Sequence, residues 1–77
     1  MVPPMRLARP MIIRFGERLY SMRVEAGISQ ADLALRARLG QRHVRKLERG
    51  TSNPTLATII LLADALGCEL GDFFSRD

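Results

Sequence analysis

The stretch SQADLALRARLGQRHVRKLERG, residues 29–50, decides the fold. It opens on Ser29 with Asp32 three residues later, a variant of the capping box that satisfies the free amides at a helix start. The helix so begun runs to about Ala37, with Leu33, Ala34 and Ala37 facing inward. A second helix spans about Gln41 to Arg49, with Gly40 at its N-cap and Gly50 just past its end. The connection is about three residues long, a length that sets two helices at a steep crossing angle.

The second helix is two-sided. At about 100° per residue, with Gln41 at zero, Arg45, Arg49, Arg42 and Lys46 fall at about 40°, 80°, 100° and 140°. Val44 and Leu47 fall at about 300° and 240° on the same wheel. Glu48 is the helix's only carboxylate and turns toward the inner side, so the outer arc carries no acid. An ordinary solvated face mixes both signs at i,i+4. A rod of this kind docks on protein with one face and offers the other to the groove of a nucleic acid duplex.

Charge is also divided along the chain. Residues 36–49 carry a net charge of +5 and residues 50–77 a net of −3, within an overall +4. A polyanion would meet one end of the molecule while the acidic end faces away.

At 77 residues the chain is one small domain, in the size class that buries only about 60% of its unfolded surface. A single cysteine, Cys68, leaves no intrachain disulfide, and with one histidine, His43, it leaves no four-ligand metal site. Neither a metal nor any other cofactor is expected. His43 lies between the cationic stripe and the inner face, and is read as a partly buried packing residue, with a DNA contact as the other reading. No serine or carboxylate constellation supports catalysis, which argues against an enzyme fragment. No apolar run approaches the roughly 18 residues of a membrane span, and the start lacks a secretory segment. The expected setting is a reducing cytoplasm. No repeat or low-complexity segment is present.

Residues 1–10 hold Pro3, Pro4 and Pro10 with Arg6 and Arg9, and are expected to form a mobile basic arm, followed by a helical domain over residues 11–77. From about Met11 to Glu25, Phe15, Leu19 and Met22 follow helical spacing, and Gly27 supplies a left-handed stop. Met11, Ile12 and Ile13 either extend that helix or form a strand. Thr55 caps a fourth helix through Leu56, Ile59, Leu62, Ala63 and Leu66 to Gly67. A last short helix, about Leu70 to Phe74, closes the core with Phe73 and Phe74.

The ordered set Gly16-Glu-Arg-Leu, Ala26-Gly-Ile-Ser-Gln, Asp32-Leu-Ala, Lys46-Leu-Glu-Arg-Gly, Asn53-Pro-Thr-Leu and Leu62-Ala-Asp-Ala-Leu-Gly resembles the lambda repressor and Cro (Xre-type) helix-turn-helix family. The resemblance covers about Phe15 to Phe74 and implies an all-α, compact five-helix DNA-binding domain. It further implies roles for single residues. Gln30 would bind a phosphate and brace Gln41, a glutamine pair that suits adenine because a carboxamide matches its donor and acceptor. Arg42 would fork onto guanine, Lys46 would reach guanine or a phosphate, and Arg45 a base edge or the backbone. Ser29 and the amides behind it would form a phosphate site at a helix N-terminus. Arg49 and Asn53 would contact phosphates, with a plain turn role as the other reading of Asn53. Arg23 and Glu48 would form a buried ion pair between helices one and three.

Two departures from the family pattern stand out. Arg38 occupies the left-handed turn position that usually holds glycine, at a cost of about 1 kcal/mol that the domain either tolerates or offsets through a phosphate contact. The last helix begins at Glu69 without the common Ser or Thr cap.

Helix four carries Ile59-Ile60-Leu61-Leu62, in which Ile60 and Leu61 lie off the core register. Such a pair marks an interface. A homodimer through helices four and five, using Ile60, Leu61 and Phe73 with Met11 to Ile13 as a further contact, would set two recognition helices about 34 Å apart.

The expected protein is a transcription regulator acting on double-stranded DNA at a pseudo-palindromic operator and controlling its own promoter, as Cro-like repressors and restriction-modification controllers do. Contact with RNA polymerase would convert repression into activation. No membrane and no small-molecule ligand are expected, nor is an effector or protease domain. The alternative is an antitoxin or adaptor whose main partner is another protein, with DNA binding secondary.

Overall fold

The structure, a computed structural model, describes residues 4–74. Its elements are α1 (Pro4–Glu25), α2 (Gln30–Ala37), α3 (Gln41–Glu48), α4 (Leu56–Leu66) and a closing 3-10 helix (Leu70–Phe74). Among the described residues there is no strand. The architecture is the all-α, five-element arrangement expected, its last member a tight 3-10 turn.

The core gathers Phe15 and Leu19 of α1, Leu33, Ala34 and Ala37 of α2, Val44 and Leu47 of α3, Leu62 and Ala63 of α4, and Phe73. Phe15 and Phe73 meet with ring centroids 5.1 Å apart at 57°, a tilted geometry that the ring quadrupoles favour. Gly16 lets α1 lie directly on α3, since a Cβ there would stand 2.4 Å from the Leu47 carbonyl oxygen.

All four α-helices stop in the same way. The residue in the left-handed region donates its amide three residues back, and the next residue donates five back: Gly27 to Val24 with Ile28 to Arg23, Arg38 to Leu35 with Leu39 to Ala34, Gly50 to Leu47 with Thr51 to Lys46, and Gly67 to Asp64 with Cys68 to Ala63. This double bond satisfies carbonyls that a helix end otherwise leaves open. Ile28, Leu39 and Cys68 then fold back onto the core. Three stops use glycine; the stop between α2 and α3 uses Arg38 at φ 58, ψ 40, which costs about 1 kcal/mol.

Three expectations need correction. The segment read as an irregular arm is helical from Pro4 onward, and α1 passes through Pro10. Pro4 sits at the helix start, where a missing N–H costs nothing. Pro10 forfeits one backbone bond, and the helix continues through it, with Ala8, Met11 and Ile12 lining a groove together with Phe15, Ile59 and Phe74. Residues 1–3 of the expected arm, and the side chain of Arg6, lie outside the described residues. Second, Leu56 is 65% exposed and does not join the core register of α4. Thr58 is buried in its place, its amide bonded to the capping Thr55 hydroxyl at 3.1 Å. Third, Phe73 is fully buried within its own chain and is unavailable to a partner. Phe74, stacked on Phe15 at 6.0 Å, is the half-exposed ring.

The start of the 3-10 helix is capped by a side chain further on. The Glu69 amide donates to the Asp72 carboxylate at 2.9 Å, which serves where Ser or Thr is absent. Among the described residues no helix is long and apolar enough to cross a membrane, and no group of three or more His, Cys, Asp or Glu could hold a metal ion.

Candidate nucleic-acid interface

The surface begins with how α3 is mounted. Its inner residues Val44 and Leu47 are fully buried, and its C-terminal Glu48 is tied to both neighbouring helices. The Arg23 guanidinium donates to the Glu48 carboxylate through Nε at 2.6 Å and Nη2 at 3.1 Å, while its Nη1 donates to the Ile28 carbonyl at 2.9 Å. The ion pair expected from the family resemblance is present, with side chains only 11% and 4% exposed. Its hydrogen bond to Glu48 raises the Arg23 pKa above the ordinary guanidinium value, against the opposing effect of burial. Tyr20 lies beneath the same guanidinium, 5.4 Å from ring centroid to Cζ.

Gln30 joins this network from α2, donating through Nε2 to Glu48 Oε1 at 3.0 Å. Among the described residues no hydrogen bond joins Gln30 to Gln41, so the expected brace is replaced by one to Glu48. A carboxamide nitrogen has two hydrogens, and its oxygen accepts. Glu48 therefore orients Gln30 while leaving one N–H and the carbonyl free at the surface. Gln30, Gln41, Arg42 and Arg45 line one open cleft between α2 and α3, with no carboxylate in its wall.

The outer arc of α3 stands clear of the protein. Gln41, Arg42, Arg45 and Lys46 are all exposed, as are Arg38 before the helix and Arg49 after it. His43, between the arcs, is half-buried. At the start of α2 the Ser29 hydroxyl accepts from the Asp32 amide at 3.0 Å, and the Ser29 amide donates to the Asp32 carboxylate at 3.2 Å. The Ser29 amide holds the Asp32 carboxyl below its usual range. The Ser29 hydroxyl keeps its own proton to donate elsewhere. Asn53 is exposed in the loop that joins α3 to α4. Burial pushes the Cys68 thiol up, and its side chain packs against the core.

Sequence reasoning missed two supports of this surface. Gly16 had a visible signal, because glycine inside a helix is costly unless a neighbour needs the space. The Gln30–Glu48 bond had none, since it joins residues on different helices.

The arrangement is a short helix–turn–helix whose second helix is pinned from behind and cationic in front. Residues 19–73 match the helix-turn-helix family. The uncharacterised HTH-type transcriptional regulator y4dJ of Sinorhizobium fredii is 38% identical over 52 residues, 68% of each chain. The immunity repressor protein of Bacillus phage phi105 is 34% identical over 55 residues, 71% of this chain and 38% of that one. The crystal structure of the restriction-modification controller protein C.AhdI from Aeromonas hydrophila superposes with a TM-score of 0.81 at 38% identity, covering 82% of this chain and 96% of that one.

The chain belongs to the helix-turn-helix family, in its Xre-type branch. It is a DNA-binding transcription regulator.

Proposed function

We propose that the protein binds a pseudo-palindromic operator as a homodimer and regulates its own promoter, in the manner of a restriction-modification controller or a short Cro-like repressor. The observation that carries this reading is the acid-free outer arc of α3, held rigid from behind by Arg23, Glu48 and Gln30. Gln41, Arg42, Arg45 and Lys46 read base edges, and Ser29, Gln30, Arg38, Arg49 and Asn53 bind phosphates on either side. Phosphate contacts set register while base contacts carry sequence information. The likeness to a controller protein and to a phage immunity repressor supports autoregulation. Repression follows from occluding polymerase, and activation from touching it at a neighbouring site.

Dimerisation is supported by the apolar strip of α4, where Ile60 is 48% and Leu61 39% exposed. One domain of this size covers too little DNA for tight specific binding. A two-fold axis through α4 presents the two copies of α3 to successive major grooves about 34 Å apart. The same strip, with Leu56 and Phe74 also exposed, suits an antitoxin or adaptor that binds a different protein. Selection of bound sites from a random duplex pool tests the first reading. Enrichment of two-fold symmetric sites with half-sites about one helical turn apart is expected; winners without symmetry, or no enrichment, defeat it.

A further inference from the structure

One face of α1 runs along the end of α3 and beyond it. Gly16 touches the last turn of α3, its hypothetical Cβ 2.4 Å from the Leu47 carbonyl oxygen, and one turn earlier the Ile13 Cα stands 3.1 Å from the same point built on Gly50. Arg9 follows at i−4 from Ile13, so helical register carries its side chain past the α3–α4 loop. There Arg9 and Ile12 form a cleft with Gly50, Thr51, Ser52 and Asn53.

The chemistry of this cleft is one-sided. Neither residues 4–16 nor residues 49–63 contain a single Asp or Glu, so both of its walls are drawn from acid-free stretches. Arg9 and Asn53 are exposed and bring side-chain donors. Thr51 spends its hydroxyl proton and its amide on the Lys46 carbonyl. Ser52 and Asn53 keep their amides, which have no intrachain acceptor among the described residues. The cleft adjoins Arg49, at the end of the stripe that faces DNA, and the part of α1 that builds it precedes the 19–73 region matched to the family.

We propose that the N-terminal half of α1 and the 49–53 loop form an outboard phosphate clamp, in which Arg9 and Asn53 hold a DNA backbone phosphate beyond the base pairs that α3 reads. The proposal rests on the DNA-binding reading above and extends it to a part of the chain outside the helix-turn-helix unit. Because Arg9 is carried on a helix that packs against the loop, its charge is positioned before DNA arrives. The clamp adds affinity without sequence preference and lengthens the footprint of each half-site.

The experiment measures binding of the full chain to its selected operator across a salt series. Arg9→Ala should weaken binding severalfold on every operator variant alike and make the log–log salt dependence shallower by about 0.9 per lost phosphate contact. Arg9→Lys should retain the slope, which separates loss of charge from damage to the helix. Trimming the flanking base pairs should reduce wild-type binding to the level of Arg9→Ala and leave that variant unchanged. An Arg9→Ala slope equal to wild type overturns the clamp while leaving the operator reading intact. A wild-type chain that selects no duplex overturns both.

Discussion

Helices α3 and α4 each leave one side to solvent, and the two sides are opposite in chemistry. The outer side of α3 is Gln41, Arg42, Arg45 and Lys46; that of α4 is Leu56, Ile60 and Leu61, with Asp64 the helix's only charge. Both helices bury their inner sides in the same core, so stability explains neither outer surface. A cationic arc stays soluble without a partner and attracts a polyanion over the Debye distance. An apolar strip gains only from contact. The contrast underlies the proposal that α3 takes DNA and α4 a protein partner.

The sharpest way to break that contrast is to release α3 from its mount. Arg23→Ala leaves the Glu48 carboxylate buried without its cation and should destabilise the fold by about 3–5 kcal/mol, read as a fall in the denaturation midpoint. A shift near zero would mean that Gln30 alone can hold Glu48. On the α4 side, Ile60→Glu with Leu61→Glu should leave a folded monomer by sedimentation. Its operator affinity should fall by about a hundredfold as the avidity of two linked half-sites disappears. A double variant that remains dimeric would move the interface elsewhere.

Smaller changes test the α3 arc itself. Gln41→Ala or Lys46→Ala should each erase about 1–3 kcal/mol of discrimination at particular operator positions. Arg49→Ala should instead weaken all sequences evenly in a competition titration. Arg38→Gly is expected to act with opposite signs on the two properties. It removes the left-handed strain and stabilises the fold by about 1 kcal/mol, while binding loses a phosphate contact and salt sensitivity. The smallest effect is that of acid on the α2 cap. Because Asp32 is depressed by its bond from the Ser29 amide, its contribution is present above the ordinary carboxyl value of 3.8 and is lost as pH falls through the lower folded value. Protection of the Ser29 amide, measured against an unstructured peptide at the same pH, should fall in that range.

Legibility followed locality. The Ser29–Asp32 capping box, the Gly27, Gly50 and Gly67 stops and the two arcs of α3 are all decided within one turn of a helix, and they stand where periodicity and capping put them. The Arg23–Glu48 pair was read from family resemblance, because a bond across 25 residues leaves no local trace. Phe73 and Phe74 could not be told apart, since neighbouring residues in a five-residue turn have no periodicity to choose between them. Pro10 suggested an arm because proline's cost inside a helix is local, whereas the surfaces that α1 lies against, on α3 and the 3-10 helix, are distant in sequence.

The sequence by itself determined the helices, their stops and the cationic arc, because hydrogen-bond caps and helical register involve residues only a few positions apart. Only the tertiary structure decided that α1 continues through Pro10, that Gln30 turns to Glu48, that Phe73 is core, and that Arg9 joins the α3–α4 loop. Each of these depends on which distant surfaces compete for the same buried space, and that competition has no counterpart in the order of residues along a single helix.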